Sequence, residues 1–149
     1  DNNKPDLFIV DMKLKLKKDL KIIDRNHKRK IFLFTSIKNS KKKEFFKKKG
    51  IKILFLKKLN VKKDFKKLFK IINKLGYNRL LVESGLVFLN TLLKHRLIFN
   101  MFIFQSSTYL SDKGSNNTTN SYIKRLKLNK KIKVNLDKNY LYKVKIKNV

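Results

Sequence analysis

The sequence predicts an α/β domain with a mostly parallel central sheet, helices on both faces and a C-terminal antiparallel hairpin. Three observations lead there. Short apolar runs of strand length recur along the chain, stretches of helical spacing lie between them, and the last two runs alternate apolar with polar residues. Strands alternating with helices imply parallel strands covered on both faces. Strict alternation marks an antiparallel pair with one solvated face. The 149 residues fit one domain, 1–149, large enough to bury a core. There is no internal repeat and no composition shift that would mark a domain boundary.

The elements follow in order. Leu7 to Val10, inside KPDLFIVD, reads as a buried strand. Met12 to Ile23 is basic and weakly alternating, a loop with at most a short strand. KIFLFT, Lys30 to Thr35, is the second buried strand. Asn39 or Ser40 is placed to cap a helix through Lys49, with Phe45 and Phe46 inward and Gly50 as its stop. IKILFL, Ile51 to Leu56, is the third strand. Asn60 is placed to cap a helix from Val61 to Leu75, whose residues Val61, Phe65, Leu68, Phe69, Ile72 and Leu75 follow helical spacing. RLLVE, Arg79 to Glu83, is the expected fourth strand. A helix from Ser84 to His95 and a fifth strand from Ile98 to Gln105 follow. Ser106 to Ser121 is polar and reads as a surface loop. Lys131 to Leu136 and Tyr140 to Ile146 form the hairpin.

Composition narrows the function classes. A hydrophobic share of 42% is too high for a disordered chain. Cys is absent and only His27 and His95 offer imidazole, so no disulfide framework and no metal site is expected. No apolar run reaches membrane-helix length; the longest, near Leu97 to Phe104, is interrupted by Asn100. The start at Asp1, polar and without Met, suggests a fragment or a trimmed chain and not a signal peptide. The net charge of +30 invites a nucleic-acid reading. Five of the 40 basic residues are Arg, however, and the other 35 are Lys spread from end to end. Phosphate and base readers favour Arg for its bidentate fork. Frequent Lys, Asn, Ile and Phe fit A/T-rich coding. The lysines are therefore expected to cover the surface without forming one basic groove, and no nucleic acid or membrane partner is expected.

Ligands of open α/β sheets sit at the carboxyl ends of strands. Two such ends carry suitable residues. After KIFLF come Thr35 and Ser36, whose hydroxyls can bond a phosphate or ribose, although residue type alone favours their simply ending a strand. After LLV come Glu83, Ser84 and Gly85. There a helix start offers free N–H groups to a phosphate, Gly85 admits close approach, and Glu83 brings a carboxylate. The plainer alternative, that Ser84 only caps the helix and Glu83 only favours its dipole, has equal claim from spacing. Neither a GxGxxG nor a P-loop is present. Asp11 orients the turn after its strand, His95 suits a helix C-terminal cap, and Glu44 and Asp64 read as solvated helix positions. No Ser/His/Asp set or close acid pair marks a hydrolase.

The stretch LLVESGLVFLNTLLKHRLIFNMFIFQSSTYLSDKGSNN, Leu80 to Asn117, resembles the reductase domain of the bifunctional riboflavin-biosynthesis deaminase/reductase, RibD. That family joins an apolar strand through Glu-Gly-Gly or a variant to a helix with a Leu-Leu step. It then enters the next strand by Leu-Val/Ile and continues into a Gly-containing loop. KPDLFIVDMKLKLKKDLKII followed by KIFLFTS is similar to the family's Pro-led strand ending in Asp, its short basic segment and its strand ending in Thr-Thr or Thr-Ser. The resemblance covers most of this chain and roughly the last two thirds of the family's domain. The opening strand, a segment with substrate-binding basic residues and the zinc deaminase domain fall outside it. Departures are Ser84 for the usual first Gly, Leu7 for a frequent Arg, Phe99 and Asn100 for an acidic pair, and Ser106 and Ser107 for Ala-Pro.

The resemblance implies a dihydrofolate-reductase-like three-layer fold and a 5-amino-6-(5-phosphoribosylamino)uracil reductase. It implies NADPH as cofactor and a phosphorylated pyrimidine as substrate. By position, Glu83 would contact substrate. Thr35 and the run Ser84, Gly85, Leu86, Val87, Phe88, Leu89, Asn90 and Thr91 would hold the cofactor. No residue is implied as the catalytic proton donor. A fused deaminase upstream, a bacterial and cytoplasmic setting and a homodimer belong to the same expectation, as does an inactive fragment in isolation. Two other readings stay open: a basic nucleic-acid-binding protein, and a related reductase acting on a pterin.

Overall fold

The computed structural model describes residues 4–24, 29–108, 126–128, 130–134, 136–137 and 139–146. His27 and most of the polar loop expected after Ser106 lie outside them. The chain forms two compact units, Asp1–Arg79 and Leu80–Val149.

Unit 1 is an α/β layer structure. Its strands are β1 (Leu7–Val10), β2 (Ile31–Thr35) and β3 (Lys52–Phe55). They pair in parallel in the order β1-β2-β3, with Leu7 opposite Ile31 and Phe32 opposite Lys52. Parallel strands need crossovers, and here the second is the helix α2 (Lys41–Lys48). β2 is central, and all five of its residues are buried. Because side chains alternate across a strand, Ile31 and Leu33 pack one way with Leu14, Ile23, Phe46 and Ile51. Phe34 packs the other way with Leu56, just after β3, and with Leu68 and Ile72 of the helix α3 (Lys62–Lys74).

Local chemistry explains the boundaries. Ser40 caps α2 by accepting a bond from the Lys43 N–H at 3.1 Å. Gly50, at φ 78°, ends it, a left-handed turn that glycine adopts without a Cβ penalty. α3 starts differently from expectation. Its N-cap is Val61, not Asn60, and the capping group is the Asp64 carboxylate, which reaches back to the N–H groups of Asn60 and Val61 at 3.0 and 3.1 Å. Asp64 is thus buried at the helix start, not solvated, because those amides need an acceptor. The two bonds hold its carboxyl below the ordinary value. Glu44 is exposed and pairs with Lys47. The basic stretch after Met12 contains a short helix α1 (Lys21–Asp24), where a loop or strand was expected. Ile23, fully buried against β2, explains its place there.

Unit 2 holds the helix α4 (Leu86–Lys94) and the strands β4 (Asn100–Gln105), β5 (Lys131–Ile132) and β6 (Tyr140–Lys145). They form an antiparallel sheet in the order β4-β6-β5. The hairpin forms, with Ile132 opposite Leu141 and Asp137 at φ 52° in its turn, but its first strand is only Lys131–Ile132, shorter than the predicted Lys131 to Leu136. β4 is antiparallel to β6, Met101 opposite Val144, although its position in the chain suggested a parallel strand. The strand expected at Arg79 to Glu83 does not form. Leu80, Leu81 and Val82 are exposed, Leu81 by 85%. An apolar run is strand-like in composition, but a strand exists only where a ladder partner lies alongside.

Candidate functional site

At the carboxyl edge of the unit 1 sheet, one carbonyl gathers the local donors. The Met12 oxygen accepts bonds from the Ser36 N–H at 3.1 Å, the Ser36 hydroxyl at 2.7 Å and the Thr35 hydroxyl at 3.2 Å. Thr35 is fully buried, and its oxygen also accepts a bond from the Ile37 N–H at 3.3 Å. Within unit 1 its hydroxyl therefore ties β2 to the turn after β1. Asp11 does the same for that turn, its carboxylate accepting from the Leu16 N–H at 2.6 Å.

In unit 2, Glu83 and Ser84 are exposed and nonhelical. The N-cap of α4 is Gly85, not Ser84, and it offers no side-chain bond to the first amides of the helix. Those N–H groups lack intrahelical acceptors, and with the helix dipole they attract negative charge. Gly85 has φ −66°, and a Cβ built on it meets nothing within 4 Å. Space, not backbone conformation, is what glycine provides here.

The next turn completes the segment. Leu86, Phe88, Leu89, Asn90 and Thr91 are half-buried, whereas Val87 is 80% exposed. The Thr91 hydroxyl donates to the Val87 carbonyl at 2.9 Å, so toward a ligand it is an acceptor. The Oδ1 of Asn90 is buried without a hydrogen-bond partner. Such an orphan usually means that a donor belongs there. His95 is the C-cap of α4, the place its sequence position indicated.

A model of the RibD C-terminal domain matches residues 1–140. The chain belongs to the RibD C-terminal domain family. No curated protein matches it. Membership makes this a riboflavin-biosynthesis reductase-type domain, and its α/β architecture, with a parallel sheet, helices and an antiparallel hairpin sheet, agrees with the dihydrofolate-reductase-like fold of that family. Among the described residues no helix is long and apolar enough to cross a membrane.

This RibD-family segment offers three features to a phosphate-bearing ligand: a helix start whose cap residue has no side chain, open space above Gly85, and the buried Asn90 Oδ1 without a hydrogen-bond partner. A separate concavity in unit 1, lined by Asn39, Ser40, Lys41, Glu44, Phe45 and Lys48, contains none of the residues expected to bind cofactor or substrate.

Sequence reasoning missed the pair Asp6 and Tyr77. The Tyr77 hydroxyl donates to the Asp6 carboxylate, which also accepts from the Lys30 N–H at 2.7 Å. The partners stand 71 residues apart, and no periodicity or local motif announces such a bond. In the sequence Asn90 is only one member of the run 84–91. Its buried oxygen depends on packing, which the sequence does not display.

Proposed function

We propose that this chain carries the 5-amino-6-(5-phosphoribosylamino)uracil reductase activity of riboflavin biosynthesis, with NADPH as reductant. The family match over residues 1–140 is the observation that carries the reading. The open helix start at Gly85 and the orphan oxygen of Asn90 support it. The substrate would be the phosphorylated pyrimidine, reduced at C1 of its ribose in the open, imine-like form to give the ribitylamino group. NADPH, when bound, supplies the hydride; the protein supplies orientation and electrostatics.

The residues divide the work by chemistry. The first amides of α4 receive cofactor phosphate, as free helix N-termini do. Gly85 leaves the backbone uncovered for that approach. Asn90 Oδ1 accepts a bond from a ligand hydroxyl or amide. Glu83 accepts bonds from substrate donors and holds the sugar in register. Thr35, which family position gives to the cofactor, is fully buried with its hydroxyl engaged by the Met12 carbonyl and the Ile37 N–H, so its part is to hold the strand end and not to touch a ligand. The same reading brings a fused deaminase upstream, a bacterial cytoplasmic setting and a homodimer.

The test is direct. The full-length protein, titrated with NADPH and then given the phosphoribosylaminouracil, should consume NADPH in proportion to ribitylamino product. A dihydropterin offered in its place should leave NADPH untouched. Consumption with the pterin alone would move the activity to another reductase of this fold.

A further inference from the structure

The two faces of the unit 2 sheet differ. Directly opposite residues of an antiparallel pair share a face. Met101 lies opposite Val144 and Ile103 opposite Tyr142, and these four are buried or half-buried. The other face carries Asn100 opposite Lys145, Phe102 opposite Lys143 and Phe104 opposite Leu141. There Phe102 is 52% and Phe104 70% exposed, and Asn100, Lys143 and Lys145 are exposed as well. Residues two apart in a strand share a face, so the two rings stand about 7 Å apart along β4. The Lys143 ammonium lies 5.9 Å from the Phe102 ring centre, at the outer limit of a cation–π contact, and gives way readily to another partner. On β4 and β6 the charged positions of this face are both Lys. Two rings in water beside two cations suit a ligand with flat apolar groups and a negative backbone.

We propose that this face binds single-stranded RNA, with bases on Phe102 and Phe104 and phosphates on Lys143 and Lys145. The even spread of lysine along the sequence points to no such partner; the paired rings on one sheet face do. Every base has a π-face, so the contact tolerates any sequence. The ring spacing is about twice the roughly 3.4 Å step of stacked bases. The bases of a bound strand therefore part from one another, and each covers a ring. Paired bases of a duplex are not free to do so. A duplex carries the denser charge, and a mere coat of lysine would prefer it; stacking reverses that preference. The Asn100 amide, on the same face, can donate to and accept from a 2′-hydroxyl, the group that separates RNA from DNA. Binding is modest and salt-sensitive, because only two cations of the face meet phosphate. All of these residues belong to unit 2, and the site is independent of the reductase reading.

Fluorescence anisotropy of the full-length protein with labelled oligo(U) tests it. Oligo(U) should bind more tightly than an RNA duplex of equal length and more tightly than oligo(dU). Phe102→Ala and Phe104→Ala should each weaken it at least about fivefold, the loss of one stacked base. Phe104→Tyr, which keeps a ring, should bind as the wild type does. Lys143→Gln with Lys145→Gln should lower the slope of log Kd against log salt by about 1.4, at about 0.7 for each cation. Lys66→Gln with Lys70→Gln, exposed on α3, should leave it unchanged. Equal losses from the two lysine pairs would assign the binding to a general cationic coat and overturn the proposal. Tighter binding of the duplex, or alanine variants that bind oligo(U) unchanged, would overturn it too. Equal binding of oligo(dU) overturns the assignment to RNA. Both alanine variants should keep the wild-type mass by light scattering and its urea midpoint. A lower mass would show the face to be an interface between copies, and a midpoint lowered as by loss of a buried ring would show it covered within the chain. Either result overturns the proposal.

Discussion

Unit 1 and unit 2 differ in how they treat apolar side chains. Among the described residues, twelve buried hydrophobics lie in unit 1, from Leu14 to Ile72, and three, Leu92, Leu93 and Val144, in unit 2. The exposed large hydrophobics reverse the balance. Phe55, Val61 and Leu75 belong to unit 1, whereas unit 2 exposes Leu80, Leu81, Val82, Val87, Phe99, Phe102, Phe104, Leu128, Val134 and Tyr140. Local stability follows buried apolar contact. Among the described residues unit 1 is therefore the better packed of the two, and the segment proposed to bind ligands lies in unit 2. Binding segments are commonly drawn from the low-stability end of a structure.

The largest test of this contrast is a pair of truncations. Phe34→Ala, in the fully buried centre of β2, should cost about 3–5 kcal/mol in urea unfolding. Phe104→Ala, at a 70% exposed position of β4, should cost no more than about 0.5 kcal/mol. Equal costs would break the comparison.

Acid sharpens it next. Asp6 and Asp64, both in unit 1, have pKa values below the ordinary 3.8, the first mainly through Tyr77 and the second through the Asn60 and Val61 amides. A depressed folded-state pKa contributes stability that is present above the unfolded value and lost as pH falls through the folded one. Unit 1 should thus lose stability below about pH 4, and the Asp6→Asn and Asp64→Asn variants should show a shallower loss there. Tyr77 acts at the other end. Its raised pKa contributes stability that is present below about pH 10 and lost above it as the phenol ionises. Circular dichroism across both limbs checks the signs.

A smaller difference lies in the caps. Ser40→Ala should cost about 1 kcal/mol by removing the bond to Lys43. Gly85→Ala at the start of α4 removes no side-chain bond and should change stability by about 0.5 kcal/mol or less. The smallest effect concerns the lysines. Nucleic acid binding should be weak, blind to sequence and steeply lost with added salt. Tight, salt-resistant binding in a filter assay would contradict the even spread of charge.

Much of unit 1 was legible because its signals are local. KIFLF is long enough and apolar enough to read as a buried strand, Phe65, Leu68 and Ile72 repeat at helical spacing, and Ser40 and Gly50 punctuate α2. Unit 2 was legible where alternation is strict, at the hairpin. Leu80, Leu81 and Val82 misled because a run of apolar residues states a preference for cover without saying what covers it. The burial of Asp64 was hidden because charge suggests solvent, while its two backbone partners lie just upstream of the helix. Asp6 and Tyr77 were hidden by their separation along the chain. In the candidate site the residue types at 83–85 were readable, but the cap moved one residue, from Ser84 to Gly85. Asn90 gained its meaning only from the burial of one oxygen.

Gly85→Val in the full-length protein tests the central claim most directly. The backbone there suits any residue, and an added Cβ meets nothing within 4 Å of the protein. The fold should therefore remain intact by circular dichroism and thermal unfolding. NADPH affinity, read by fluorescence titration, should fall at least about tenfold, which is the loss of about 1.4 kcal/mol of binding. Glu83→Gln, measured beside it, should keep that affinity and lose substrate turnover. A folded Gly85→Val protein that binds NADPH as the wild type does would contradict the account.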